Sequence, residues 1–263
     1  MSPALVLTER RGRVLVATLA RPPVNALDDT LIDALHAVLD VAIADAGIAV
    51  LHIRSRERVF SAGADLALIR SCFSTPGGPD AMTEVVRHMQ RLYERLEAAP
   101  LATIAEIGAA ALGGGLELAL ACDLRVAADD ARFGAAFHRV GLGSDFGVTW
   151  LLPRVVGPAR AAELLLLADP VDAPQALAMG LCSRVVPTAD LDREARALAA
   201  RLAAGPALAQ AFTKRGLRRA PAGTLGELLE WEALAQAVLS KTADAAEGVA
   251  AFREKRPPRF QGR

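Results

Sequence analysis

The stretch 101–128, "LATIAEIGAAALGGGLELALACDLRVAA", constrains the fold more than any other part of the chain. Two β-rich apolar runs, "LATIAEI" and "LRVAAD", flank "LELALAC", which is apolar almost all round. Three consecutive glycines, Gly113 to Gly115, stand just ahead of that run. A short helix with no polar face has to be buried. Strand–helix–strand alternation of this kind calls for parallel pairing in an α/β core. The flanking sequence agrees. "ALVLTERRGRVLVATLA" reads as a hairpin turning at "RRG", and "IAVLHI" as a buried strand. Between them, Leu31, Ile32, Leu35, Val38, Leu39, Ala42 and Ile43 fall at helical spacing behind a cap at Asp28 or Asp29. Val85, Val86, Met89, Leu92, Tyr93 and Leu96 mark an amphipathic helix ending near Pro100, and "STPGGPD" before it reads as a mobile loop. After about Pro158 the strand signals stop. "TLGELLEWEALAQAVLS" and "EGVAAFREK" are helical, so the last third is expected to be mainly helices.

A chain of 263 residues is long enough for one large domain, or a domain with an appendage. Its 30 basic and 30 acidic residues cancel, which gives no ground for nucleic-acid or anionic-membrane partners. "AELLLLA" is far too short to span a bilayer, and "MSPALVLTERRGR" lacks the pattern of a signal peptide. Cys72, Cys122 and Cys182 are odd in number and widely spaced, so a reducing, cytoplasmic setting is the expectation. The four histidines, His36, His52, His88 and His138, form no ligand cluster, and no metal site is expected.

A strand–glycine–helix junction presents bare backbone N–H groups at a helix N-terminus. Such groups suit a phosphate or a developing oxyanion. "GGGLEL" has neither a GxGxxG nor a GK[ST] pattern, and Glu117 would repel a phosphate. An oxyanion reading puts the acid to use, since a carboxyl in the first turn can exchange a proton while the N–H groups hold a carbonyl oxygen. The plainer alternative is that the glycines only allow close packing and that Glu117 caps its helix. A second small-residue turn, "FSAGADL" (60–66), ends in Asp65, a candidate cap for the helix after it. Two such loops at neighbouring strand ends can offer one N–H each to a single oxygen.

The segments "RPPVNAL", "FSAGADL", "ALGGGLELALACDLRVAADDARFG", "VGLGSDFGVTWLLPRVVG", "MGLCSRVVP" and "EGVAAFREKRPPRFQGR" occur in this order. Together they resemble the crotonase (enoyl-CoA hydratase/isomerase) superfamily over nearly the whole chain. The resemblance implies an α/β fold, a crotonase-like ββα spiral with a helical C-terminal trimerisation part. Residues 1–200 would form the core with the acyl-CoA site, and 201–263 the oligomerisation part. It implies an acyl-CoA thioester as substrate, no cofactor beyond the CoA the substrate carries, and a homotrimer or a hexamer made of two trimers. The thioester oxygen would lie between the N–H groups of Ala64 and Gly114, an arrangement that typically contributes ~3 kcal/mol or more. Ala62, Ala64, Asp65 and Leu66 would line the CoA path. Phe252 and Lys255 match CoA-contacting positions, often supplied by a neighbouring subunit.

The chain also departs from the family pattern. Typical hydratases grip one water with two glutamates. Glu117 matches the first, and Phe137 stands where the second belongs. His138 beside it is a loop histidine of the kind that usually packs or faces solvent. Asp145 is the other acid in range, either a helix cap or, by resemblance to dienoyl-CoA and phenylacetyl-CoA-type isomerases, a working aspartate. Double-bond isomerisation by proton shuttling between Glu117 and Asp145 therefore fits the residue set better than two-glutamate hydration. Hydration by Glu117 alone and non-catalytic acyl-CoA binding are the alternatives. Gly108-Ala109 replaces the common Asn-Gly, and Val148 replaces a glycine. Phe137 and Trp150 are candidates to line the acyl pocket. A protease of related fold would need a serine elbow, and none is present.

Overall fold

A computed structural model of the chain describes residues 4–74 and 78–262. The hairpin forms as expected. β1 (Val6–Arg11) pairs antiparallel with β2 (Val14–Leu19) through a turn led by Gly12, whose φ of +60° favours glycine. Helix α1 (Asp29–Ala44) follows, with Asp28 as its N-cap accepting from the Leu31 N–H. Six of the seven residues at helical spacing are buried, whereas Ile43 is exposed on the flank of the apolar stripe.

Strands β3 (Val50–Ser55), β4 (Ala102–Ile107) and β6 (Leu124–Ala128) extend β2 in parallel, with β5 (Ala110–Leu112) reserved for a second, smaller sheet. Helices α2 (Leu66–Ser74) and α3 (Gly78–Ala98) link β3 to β4. Residues 75–77 of the expected mobile loop lie outside the described residues, but Ser74 ends α2 and Gly78 to Asp80 open α3. Helix α4 (Gly114–Ala121) is buried along its whole length. Beyond it come β7 (Arg132–Gly134), α5 (Val148–Val156), α6 (Pro158–Leu167), β8 (Val171–Asp172), α7 (Ala173–Ala178) and β9 (Arg184–Val186). Four helices complete the chain: α8 (Leu191–Ala203), α9 (Ala207–Arg219), α10 (Leu225–Leu239) and α11 (Ala243–Glu254).

The segment after Pro158 is mainly helical, as expected, but β8 and β9 form where the sequence shows no strand signal. β9 closes the main sheet, order β1-β2-β3-β4-β6-β9, by pairing with β6; β8 closes the small one, order β5-β7-β8. Strands of two or three half-buried residues carry no readable alternation, so pairing across the sheet decides them.

Side chains alternate across the main sheet. Leu51, Ile53, Ala105, Ile107 and Ala127 join α1, α3 and α4 in the larger core. Val50, Ile104, Val126 and Ala128 face Leu191, Ala195, Leu198 and Ala199 of α8, which covers the other side and runs across residue 200. Two loops leave the carboxyl ends of neighbouring parallel strands β3 and β4 on the larger-core side, the place where an open α/β sheet presents its site.

Candidate active site

The loop after β3 is zipped between two segments. Ser61 bridges Ala111, and Leu27 bridges Ala64. The Ala62 N–H donates to the Val24 carbonyl (3.0 Å), Leu27 N–H to Gly63 (2.8 Å), Asp65 N–H to Leu27 (2.8 Å) and Leu112 N–H to Ser61 (3.0 Å). Among the described residues the N–H groups of Ala64 and Gly114 find no acceptor. The two turns touch: a Cβ on Gly63 would stand 3.1 Å from the Gly114 nitrogen.

This packing explains the three glycines. Gly113 takes φ +51° at the N-cap of α4. A Cβ on Gly114 would meet Leu27 Cδ1 at 2.9 Å and Phe146 Cε2 at 3.0 Å, and one on Gly115 would meet the Ser61 carbonyl oxygen at 2.4 Å. Only bare backbone allows the helix N-terminus to press against the other loop.

Glu117 is fully buried and does not cap its own helix. Its Oε1 accepts the Phe146 and Val148 N–H groups, both at 3.1 Å, at the start of α5. Its Oε2 is buried without a partner. Burial, and after it the charge of Asp145, push its pKa up to about 8; the two amide bonds pull the other way and lose. Val148 works through its backbone N–H, which explains why a side chain is tolerated there in place of glycine.

Asp145 is not the cap of α5 either. Gly147 occupies that position in the left-handed region, and Asp145 Oδ1 is buried and unpartnered. Burial pushes the Asp145 pKa up to about 6. Sequence alone sets burial against the helix N-terminus without deciding between them; in the folded chain burial wins at both acids.

Asp65 caps α2 through the Ala67 (2.8 Å) and Leu68 (3.3 Å) N–H groups and pairs with Arg21 at 2.7 Å. Burial works against its charge, but the Arg21 bond and the two amides hold its pKa below the ordinary value. Its carboxylate is thus committed to the fold, while Ala62 and Leu66 beside it are exposed.

Phe137 is buried, with its ring 3.8 Å from where a Gly113 Cβ would be, so an apolar ring lies against the glycine turn. His138 is exposed and bonds through Nδ1 to the Leu165 carbonyl, away from that turn. Trp150 is 42% exposed under the Arg154 guanidinium, 3.6 Å from the ring centre. It lines a cleft of ≈ 390 Å³ between α3 and α5 with Gln90, Tyr93, Phe146 and Leu151. Phe252, on α11, is 87% exposed, and Lys255 ends that helix at φ +55°. Among the described residues no group of three or more His, Cys, Asp or Glu side chains is placed to hold a metal, and no helix is long and apolar enough to cross a membrane.

The sequence alone does not mark Tyr93 or Gln90 as site residues. The Tyr93 hydroxyl donates to the Gly114 carbonyl (3.0 Å), and Gln90 Nε2 donates to the Asp145 carbonyl (2.7 Å). The available signal was a lone tyrosine on the apolar stripe of an amphipathic helix, a position that needs a partner for its hydroxyl.

Unpaired amides from two abutting loops, with the buried Glu117 and the half-buried Asp145, at the carboxyl ends of a parallel sheet, define a crotonase-fold enzyme. The Enoyl-CoA hydratase/isomerase family model matches residues 9–263. A Rhodobacter capsulatus protein named "Probable enoyl-CoA hydratase" is 40% identical, covering 94% of each chain. The 1,2-epoxyphenylacetyl-CoA isomerase of Escherichia coli is 36% identical, covering 98% of each. The crystal structure of an enoyl-CoA hydratase from Polaromonas sp. JS666 superposes with a TM-score of 0.92 at 30% identity, over 97% of this chain and 99% of that one. The chain belongs to the enoyl-CoA hydratase/isomerase family.

Proposed function

We propose that the protein isomerises the double bond of an enoyl-CoA thioester by passing a proton between Glu117 and Asp145. The observation that supports this most directly is the pair of buried, unpartnered carboxyl oxygens, Glu117 Oε2 and Asp145 Oδ1, on acids pushed to about 8 and about 6. Between those values the pair holds one proton, so one member is a base while the other is an acid. At neutral pH the proton resides on Glu117.

With a 2-enoyl thioester, ionised Asp145 removes a proton from C4. The electron pair shifts through C3 and C2 to the thioester oxygen, giving a dienolate held by the Ala64 and Gly114 N–H groups. Glu117 then protonates C2, leaving the double bond between C3 and C4. The reverse reaction uses the same groups with their protons exchanged. Phe137 against the glycine turn supplies no second carboxylate to grip a water, which favours isomerisation over hydration.

CoA runs past Ala62, Ala64 and Leu66. Asp65 shapes that path by capping α2 rather than through a free carboxylate, and Phe137 and Trp150 border the acyl group. Phe252 and Lys255 reach CoA from a neighbouring subunit of a trimer, or of a hexamer of two trimers, in the cytoplasm. The exposure of Phe252 and of Leu225, Leu229, Leu234 and Val238 on α10 supports such an assembly.

Turnover of 2-enoyl-, 3-enoyl- and cyclic enoyl-CoAs in heavy water tests the reading by mass spectrometry. Isomerisation exchanges deuterium at carbon and adds no oxygen. A product that gains a whole water would replace it with hydration by Glu117 alone.

A further inference from the structure

One face of α3 grips both halves of the site. Tyr93 is the only tyrosine in the chain. Its ring is buried and stacks on Phe146, with centroids 5.1 Å apart and planes 18° apart, while its hydroxyl donates to the Gly114 carbonyl. Phe146 in turn gives its N–H to Glu117, and its ring lies against Gly114. Three residues earlier in α3, Gln90 holds the carbonyl of Asp145. A phenylalanine at 93 would fill the same space and keep the stack. The hydroxyl is costly to bury unless it is bonded, and its partner is the residue that offers the oxyanion amide.

We propose that Tyr93 is a positioning residue that fixes the Gly114 amide relative to Glu117, with Gln90 tying the Asp145 loop to the same helix. The inference rests on the oxyanion role assigned to Gly114 above. Glycine has the freest backbone of any residue, so the direction of the Gly114 N–H has to be set by its surroundings. Leu27 and Phe146 flank it, and Tyr93 holds the carbonyl end of the same residue. A donor aimed where charge develops loses its effect when it swings by a fraction of an ångström to an ångström. The hydroxyl remains a neutral donor, because burial and then the charges of Glu117 and Asp145 hold the Tyr93 pKa well above its ordinary value.

The test uses Tyr93→Phe and the infrared carbonyl stretch of bound butyryl-CoA, which cannot react as an enoyl thioester. In the parent protein the stretch is expected to move to lower frequency on binding. In Tyr93→Phe we expect most of that shift to vanish, with kcat on the enoyl substrate down roughly 10-fold and KM unchanged. Full retention of both shift and kcat in Tyr93→Phe would overturn the positioning role. Absence of the shift in the parent protein would instead overturn the oxyanion reading on which it rests. Should Tyr93→Phe fail to fold, 3-fluorotyrosine incorporated throughout labels Tyr93 alone. Its ¹⁹F resonance is expected to move when butyryl-CoA binds, and an unmoved resonance would also refute the proposal.

Discussion

Helices α4 and α10 are both apolar on most sides, yet their fates differ. All eight residues of α4 are buried, whereas in α10 only Ala235 is. The helix α4 enters the core because three glycines bring it against the loop after β3, and because sheet, α3 and α5 surround it. The helix α10 packs on α9 and leaves Leu225, Leu229, Leu234 and Val238 outside. Apolar content alone therefore does not decide burial; the number of neighbours the chain can bring up decides it. The closed region carries the acids, and the open region leaves apolar surface exposed.

The largest expected effect lies in the closed region. Glu117→Gln and Asp145→Asn keep size and polarity but remove proton exchange, and each should lower turnover by roughly 10²-fold or more while acyl-CoA binding survives. Steady-state kinetics with isothermal titration checks this. Full activity in Asp145→Asn beside a dead Glu117→Gln would leave Glu117 acting alone and replace isomerisation with hydration.

The pH profile sharpens the same point. On the proposed mechanism the singly protonated pair is the active form, so kcat/KM should fall below about 6 as Asp145 takes up a proton and above about 8 as Glu117 loses one. Asp145→Asn should abolish the acidic limb and move the alkaline limb down, because the Asp145 charge helps to raise the Glu117 pKa. Stability follows with a definite sign. Glu117 is raised from 4.5 to about 8, so the folded state binds more protons than the unfolded state between those values. Its contribution is complete below about 4.5 and is lost as pH rises through about 8. Calorimetry should find Glu117→Gln gaining in Tm relative to the parent at pH 9 compared with pH 6.

In the open region the readout is mass. Light scattering at micromolar concentration should give a trimer or hexamer, and Leu229→Asp combined with Val238→Asp should lower that mass. A stable monomeric parent would break the comparison, since the exposed apolar face would then have no second chain to cover it.

The smallest effects come from one substitution made in both places. In Gly115→Ala the new Cβ lies 2.4 Å from the Ser61 carbonyl oxygen, which should destabilise the fold by about 1–3 kcal/mol. At Gly226 in α10 a Cβ meets nothing within 4 Å, and Gly226→Ala should stabilise by up to about 0.5–1 kcal/mol through helix propensity. Denaturant unfolding reads both, and shifts of the same sign would refute the contrast.

By itself the sequence determined what depends on near neighbours in the chain. The hairpin at "RRG", a cap at Asp28 or Asp29, the stripe on α1, the buried run of α4 and the strand–helix alternation that calls for parallel pairing all follow from period, capping and turn chemistry, which act over a few residues. The tertiary structure decided the rest. Only the sheet edge made strands of Val171–Asp172 and Arg184–Val186. Only folding brought Glu117 to amides 29 and 31 residues away and hung Asp145 from Gln90, 55 residues before it. Neither acid became the helix cap that its local sequence allowed, because a carboxyl's partners and its pKa are set by what surrounds it in space.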